Sequence, residues 1–218
     1  MTTATPTPQS QKRGAEPVVT LKGVSWQTFK TLLAEIGEDR ACRMAYDQGV
    51  LEIRMPLEDH EEPKRLLEDF VTAIVDELGI ELRSLGSLSL KRDDLTRFIE
   101  PDSCFYIQNE SRVRGRRINL EIDPPPDLAI ESDYTSSSVD KQSIYAALGV
   151  PELWRYTRQT LQVYQLVEGE YEQREQSMTF PFLPVTEIPG FIEQSNTQGQ
   201  RTAVRLFRQR IRELLHNQ

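Results

Sequence analysis

The sequence predicts one domain mixing helices and strands, of α+β or α/β class, on three observations. Helical and alternating apolar periodicities succeed one another in the order helix, antiparallel strands, helix, mixed strands. A length of 218 residues suits one domain with short extensions. The composition is 38% hydrophobic and 28% charged, with mean hydropathy −0.52, which describes a globular chain with polar ends.

Taken in order, Met1 to Glu16 is Thr/Pro/Gln-rich, has no periodicity, and reads as a disordered tail. Its lack of an apolar core segment excludes a secretory signal. From Val24 to Ile36, Val24, Trp26, Phe29, Leu32, Leu33 and Ile36 recur at helical spacing; Ser25 is the expected N-cap and Gly37 the stop. Arg43 to Met55 alternates around Asp47-Gln48-Gly49, a β-hairpin with its turn at Gln48-Gly49. Pro56 breaks that strand, and Pro63 is placed in the first turn of a helix running to Leu78, with Gly79 as its cap. Ile80 to Leu90 reads as a strand interrupted by Gly86. Short strands follow at Glu100–Ile107 and Asp127–Glu131, separated by an arginine-rich connector and by Pro124-Pro125-Pro126. A polar stretch, Ser132 to Asp140, leads into a helix at Lys141–Leu148, which Gly149 and Pro151 end. Strands are expected at Glu152–Tyr156 and Thr160–Val167, then a turn at Glu168-Gly169-Glu170. Arg201 to Leu215 is an amphipathic basic helix. The expected partition is a tail at 1–16, the domain at 17–192 and the basic helix at 193–218.

Charge and cysteine usage narrow the function. With 26 Lys+Arg against 34 Asp+Glu the formal net charge is −8, which argues against a protein that coats nucleic acid, since phosphate binding rests on Lys/Arg contacts. It leaves room for an enzyme with a local basic track. Cys42 and Cys104 are the only cysteines and form no CxxC, so a disulfide framework or a cysteine zinc site is not expected; a reduced, cytoplasmic setting follows. No apolar run approaches the ~18 residues of a membrane span.

Two acids stand at strand ends. If the strands after Pro101 and Pro126 pair antiparallel, the start of the first lies beside the end of the second. Asp102 and Glu131 then become cross-strand neighbours, about 4.5–5.5 Å apart at Cβ, while Asp127 is carried to the other end near Tyr106. Two carboxylates at that separation can share a divalent cation, and oxygen ligands select Mg²⁺, Mn²⁺ or Ca²⁺. Lys141, opening the next helix, can point back over the pair to orient a water or stabilise charge developing on a phosphate. The set reads as a hydrolytic site of metal, activated water and cationic partner. The plainer reading is that a chain with 34 acidic residues makes such pairs by chance.

Several segments sharpen that choice. Arg54-Met-Pro-Leu-Glu-Asp-His-Glu61, Gly86-Ser87, Ile99 to Asn109, Asp123 to Glu131 and Tyr145 to Trp154 resemble the Uma2 family (DUF820), which is abundant in cyanobacteria. The resemblance covers Val24 to Ile192, and the block Gly149-Val150-Pro151-Glu152 before Trp154 is its most specific part. It implies a restriction-endonuclease-like α/β core of the PD-(D/E)xK type, a mixed sheet flanked by helices. The family's PD aspartate falls on Asp102 and its strand-end glutamate on Glu131, both as metal ligands. Asp133 stands where the motif has its lysine, and the lysine is carried to Lys141. His60 matches a histidine often found before the family's first long helix. The implied activity is Mg²⁺- or Mn²⁺-dependent endonucleolytic hydrolysis of DNA. The other reading is a nuclease-fold protein without catalysis that acts by binding nucleic acid or protein.

Other basic residues fit such a partner. Arg112, Arg114, Arg116 and Arg117, with Lys91, Arg92 and the C-terminal Arg205, Arg208, Arg210 and Arg212, either track a phosphate backbone or lie on solvated faces. Trp154 and Trp26 read as core. The basic helix and the aromatic strand Leu161–Val167 offer surfaces for a homodimer.

Overall fold

The computed structural model describes residues 16–37, 40–55, 58–132 and 137–217. Its architecture is α/β, with helices flanking a mixed sheet, and it adds a second, antiparallel sheet beside the first.

Val18–Lys22 (β1) precedes the first helix, Trp26–Ile36 (α1). Ser25 caps α1 by accepting a hydrogen bond from the Thr28 amide, as its hydroxyl predicts, and the chain leaves the helix at Gly37. The hairpin forms from Arg43–Asp47 (β2) and Val50–Arg54 (β3), and its turn residues Gln48 and Gly49 both have positive φ, at 43° and 102°. That is the twist that suits a two-residue hairpin, and glycine supplies half of it without strain. Leu90–Arg92 (β5) and Arg97–Ile99 (β6) complete an antiparallel sheet of order β1-β3-β2-β6-β5.

The second sheet holds Arg83–Ser84 (β4), Ser103–Tyr106 (β7), Leu128–Ser132 (β8), Glu152–Thr157 (β9), Thr160–Val167 (β10) and Glu170–Arg174 (β11) in the order β11-β10-β9-β8-β7-β4. Among the described residues only β8 and β9 run parallel, and the helix Lys141–Leu148 (α4) lies in the crossover between them. A short helix, Glu110–Val113 (α3), lies between β7 and β8. On one face of this sheet pack Glu58–Leu78 (α2), Ile188–Gln198 (α5) and Gln200–His216 (α6), burying Phe70, Phe105, Trp154 and Phe207. The other face carries α4 and meets the first sheet through Ala45, Ile99, Ala129, Tyr145 and Leu153. A third cluster, Phe29, Met44, Tyr46, Leu51 and Phe98, holds α1 on the outside of the first sheet.

Several boundaries differ from expectation. α2 begins at Glu58, so Pro63 lies inside the helix rather than in its first turn; lacking an N–H, it leaves the carbonyl four residues back without a helical donor. The strand expected over Ile80–Leu90 is reduced to two residues, because the chain turns at Gly86 (φ 54°) before it re-enters the other sheet as β5. Residues 1–15 lie outside the description, but Glu16, expected in the tail, is buried and pairs with Arg54 at 3.4 Å.

Candidate active site

The β7–β8 ladder pairs Ser103 with Ile130, Cys104 with Ala129 and Phe105 with Leu128. One step further, the same register sets Asp102 opposite Glu131, and alternation along the strands puts both on the face that carries α4. Asp102 is fixed across the ladder, its Oδ2 accepting from the Ser132 amide at 2.7 Å. Asp127, at the far end of β8, accepts from the amides of Ile107 (2.7 Å) and Asn109 (3.0 Å) and from Asn109 Nδ2 (2.6 Å). It knits the loop after β7 and takes no part in the site.

Glu131 is 2% exposed and therefore needs partners for its charge. It has them from two sides. Lys141 Nζ donates to Oε2 at 2.6 Å and the Tyr145 hydroxyl to Oε1 at 2.5 Å. These donors lie four residues apart on α4, hence on one helical face, and Asp140 fixes the start of that helix by accepting from the Ser143 amide. From the first sheet, Arg54 Nη2 approaches Glu131 Oε2 at 3.6 Å and Asp102 Oδ1 at 3.9 Å. Two residues back along β3, Glu52 accepts from the Ser137 hydroxyl and from the amide and hydroxyl of Ser138.

Burial and charge set the protonation states. Burial pushes the Tyr145 hydroxyl well above its ordinary range, and the Glu131 carboxylate reinforces this, so Tyr145 is a fixed donor. Burial pushes the Glu52 carboxyl upward too, but the hydrogen bonds from Ser138 and Ser137 and the nearby Lys141 charge outweigh it and hold Glu52 below the usual carboxylate value.

The structure thus brings Asp102, Glu131 and Lys141 to one place. The backbone of His60 lies in the first turn of α2, and its side chain, like the whole of Asp133, falls outside the described residues. Arg54, Tyr145, Glu52 and Glu16 join the site unannounced. Arg54 and Tyr145 begin two of the segments that carry the family resemblance, a signal for their importance though not for their place. The proposed basic track dissolves in part: Arg114 bonds Glu110, Arg116 bonds Asp123, Arg92 bonds Asp94, and Arg208, Arg210 and Arg212 bond Asp76, Glu187 and Glu77.

The residues fit a hard divalent cation. Asp102 has one oxygen engaged by the Ser132 N–H and turns the other toward Arg54, while Glu131 has one engaged by the Tyr145 O–H and the other by Lys141, with Arg54 beyond, so the chain already sets cationic groups beside both acids. Among the described residues no cluster of three or more His, Cys, Asp or Glu side chains suits a metal. Two carboxylates suit an open site, in which water and substrate oxygens complete the shell of a hard divalent cation, rather than a closed protein cage.

A mixed sheet flanked by helices, with acids at facing strand ends and a helix-borne lysine beside them, defines an α/β domain with a candidate hydrolytic site. The chain belongs to the Uma2 family, whose model, described as a putative restriction endonuclease, matches residues 26–194. It is similar, at 16% identity and TM-score 0.48 over 83% of this chain and 99% of the other, to a crystal structure of a putative nuclease of the DUF820 group from Anabaena variabilis. No curated protein matches it. No helix among the described residues is long and apolar enough to cross a membrane.

Proposed function

We propose that the protein is a Mg²⁺- or Mn²⁺-dependent endonuclease that hydrolyses DNA phosphodiester bonds in a cytoplasmic setting. The observation that supports this most is the register that sets Asp102 opposite Glu131, with Lys141 2.6 Å from the glutamate. Asp102 and Glu131 would hold the ion, which when bound would supply Lewis-acid charge to a phosphoryl oxygen and acidify water. Lys141 sits where its ammonium group can orient the attacking water and meet the negative charge that grows on the phosphate. Arg54 balances the two acids, and Tyr145 keeps Glu131 in one rotamer. Burial of these groups among protein dipoles strengthens each interaction relative to water.

The test is cleavage of plasmid and branched DNA with Mg²⁺, with Mn²⁺ and with chelator, by wild type, Asp102→Ala, Glu131→Ala and Lys141→Met. Cleavage is expected only with metal and to disappear in both acid variants while their circular dichroism stays native. Lys141→Met should lose turnover far more than Mn²⁺ affinity, because the lysine acts on groups that develop in the transition state. Equal cleavage by wild type and both acid variants would overturn the assignment.

A further inference from the structure

The ladder that sets Asp102 opposite Glu131 continues on the far side of the glutamate. β8 pairs parallel with β9, which puts Arg155 beside Glu131, and β9 pairs antiparallel with β10, which puts Gln162 opposite Arg155. These side chains share one face. Ala129 and Leu153 pack in the cluster to which α4 belongs, whereas Ile130, Trp154 and Val163 pack in the cluster under α2. Alternation along the strands then places Glu131, Arg155 and Gln162 on the α4 face, in a row that begins at Asp102. Adjacent strands lie ~4.8 Å apart, so the backbone of Arg155 stands about 5 Å from that of Glu131 and about 10 Å from that of Asp102.

Its lack of a counterion sets this arginine apart. Arg155 is half-buried and forms no side-chain hydrogen bond or ion pair among the described residues. The acid beside it is spent, since Glu131 gives one oxygen to Lys141 and the other to Tyr145. By contrast, Arg114, Arg116, Arg208 and Arg212 each hold a carboxylate. A guanidinium that has lost part of its water without gaining a counterion is set to take an anion, and its planar fork matches two oxygens of a phosphate. Gln162 supports the same ligand. Its Oε1 accepts from the Tyr164 hydroxyl at 3.3 Å, and its Nε2 has no acceptor among the described residues, so the amide presents donors next to the guanidinium.

We propose that Arg155 and Gln162 form a phosphate subsite beside the acid pair, which grips the backbone phosphate next to the one that reacts over Asp102 and Glu131. This rests on the nuclease reading and adds to it the groups that hold the substrate's backbone. The gripped phosphate does not react, so the subsite holds substrate and transition state alike. It governs affinity rather than turnover.

The test is fluorescence anisotropy of a fluorescein-labelled DNA duplex with the full chain, in chelator and over a series of salt concentrations, joined to cleavage kinetics in Mg²⁺. Wild type is compared with Arg155→Gln, Arg155→Lys, Gln162→Glu and, as control, Arg205→Gln, an exposed position on α6. Arg155→Gln should weaken binding about tenfold or more and lower the log–log salt slope by about one, while Arg155→Lys keeps the wild-type slope. Gln162→Glu leaves Arg155 in place but pairs it with a carboxylate across the ladder. It should therefore melt at or above the wild-type temperature and still bind as weakly as Arg155→Gln, which separates a lost subsite from lost folding. In cleavage, Arg155→Gln and Gln162→Glu should raise KM about tenfold and leave kcat within about twofold of wild type. Wild-type affinity in Gln162→Glu, an equal loss in Arg205→Gln, a fall in kcat at unchanged KM, or no binding of the duplex by wild type overturns the proposal. If cleavage still needs metal and Asp102 in those cases, the nuclease reading stands without this subsite. If binding follows Arg155 but cleavage does not depend on Asp102, the subsite stands and the nuclease reading fails.

Discussion

Tyr145 is the donor to Glu131 that carries no charge, and it is fully committed: buried, raised in pKa and aimed at Oε1. Tyr145→Phe keeps the packing but leaves one oxygen of a buried carboxylate without its donor. A hydrogen bond to a charged group is worth about 1.5–3 kcal/mol, so urea denaturation should show a loss of about 2 kcal/mol with an unchanged slope. A midpoint equal to wild type would mean that water replaces the hydroxyl freely. Glu52 gives a pH signature nearby. Its carboxyl titrates below the ordinary value when folded, so between the two values the unfolded chain binds more protons. The stability it contributes is complete above the unfolded-state pKa and is lost as pH falls through the folded-state value. Glu52→Gln should therefore show a shallower loss of stability than wild type below the usual carboxylate range, measured by denaturant titration at stepped pH. Parallel curves would show that Glu52 has no part in acid unfolding. The site's acids and lysine were legible in the sequence because each sits at a strand end or helix start that the local pattern marks. Arg54 was not: it lies on a hairpin strand, and only the stacking of one sheet against the other brings it to the acids.

At the scale of elements, the strongest local patterns gave the right structure. The α1 cap, the Gln48-Gly49 hairpin, α4 and its Gly149 stop (φ 78°) all follow from short-range chemistry. Among the elements that escaped are β1, β5, β6 and β11, strands of three to five residues whose identity depends on a neighbour to pair with, and the four-residue helix α3. α5 escaped as well, although Pro189 just inside its start is a recognised signal. The turn between β9 and β10 shows a different kind of exception. Arg158 and Gln159 both have positive φ, at 49° and 63°, with no glycine to relieve the Cβ crowding. Left-handed conformation costs an ordinary residue roughly 1–2 kcal/mol, so Gln159→Gly should raise stability by up to about 1 kcal/mol after the added freedom of the unfolded chain is subtracted. A thermal melt that falls rather than rises would show that the Gln159 side chain makes a contact outweighing that strain.

At the scale of the whole molecule, the question is what else the surface is built to meet. The apolar face of α6 is already used: Phe207 is 1% exposed, Ile211 is fully buried, and both pack on the core shared with α2. Its arginines complete that docking, Arg201 to Asp69, Arg208 to Asp76 and Arg212 to Glu77. The basic helix is thus an intramolecular clamp whose main apolar face is covered by the core. The two sheets end differently. β11 carries Glu170, Glu172 and Arg174, charges that discourage another strand from adding to the edge. β1 ends the other sheet with Val19 at 54% and Leu21 at 43% exposure, an apolar outer strand with one side of its backbone unpaired among the described residues. Such an edge favours pairing with a second copy about a two-fold axis, which would give two acid pairs per assembly and allow both strands of a duplex region to be cut. The expected species is a homodimer of twice 25.1 kDa, and the net charge of −8 opposes it only mildly where the Debye length is about 8 Å. Val19→Lys/Leu21→Lys should convert it to a monomer that keeps its melting cooperativity and nicks plasmid rather than linearising it. Sedimentation at micromolar concentration decides: a single species of monomer mass for the wild type at every concentration removes β1 as an interface.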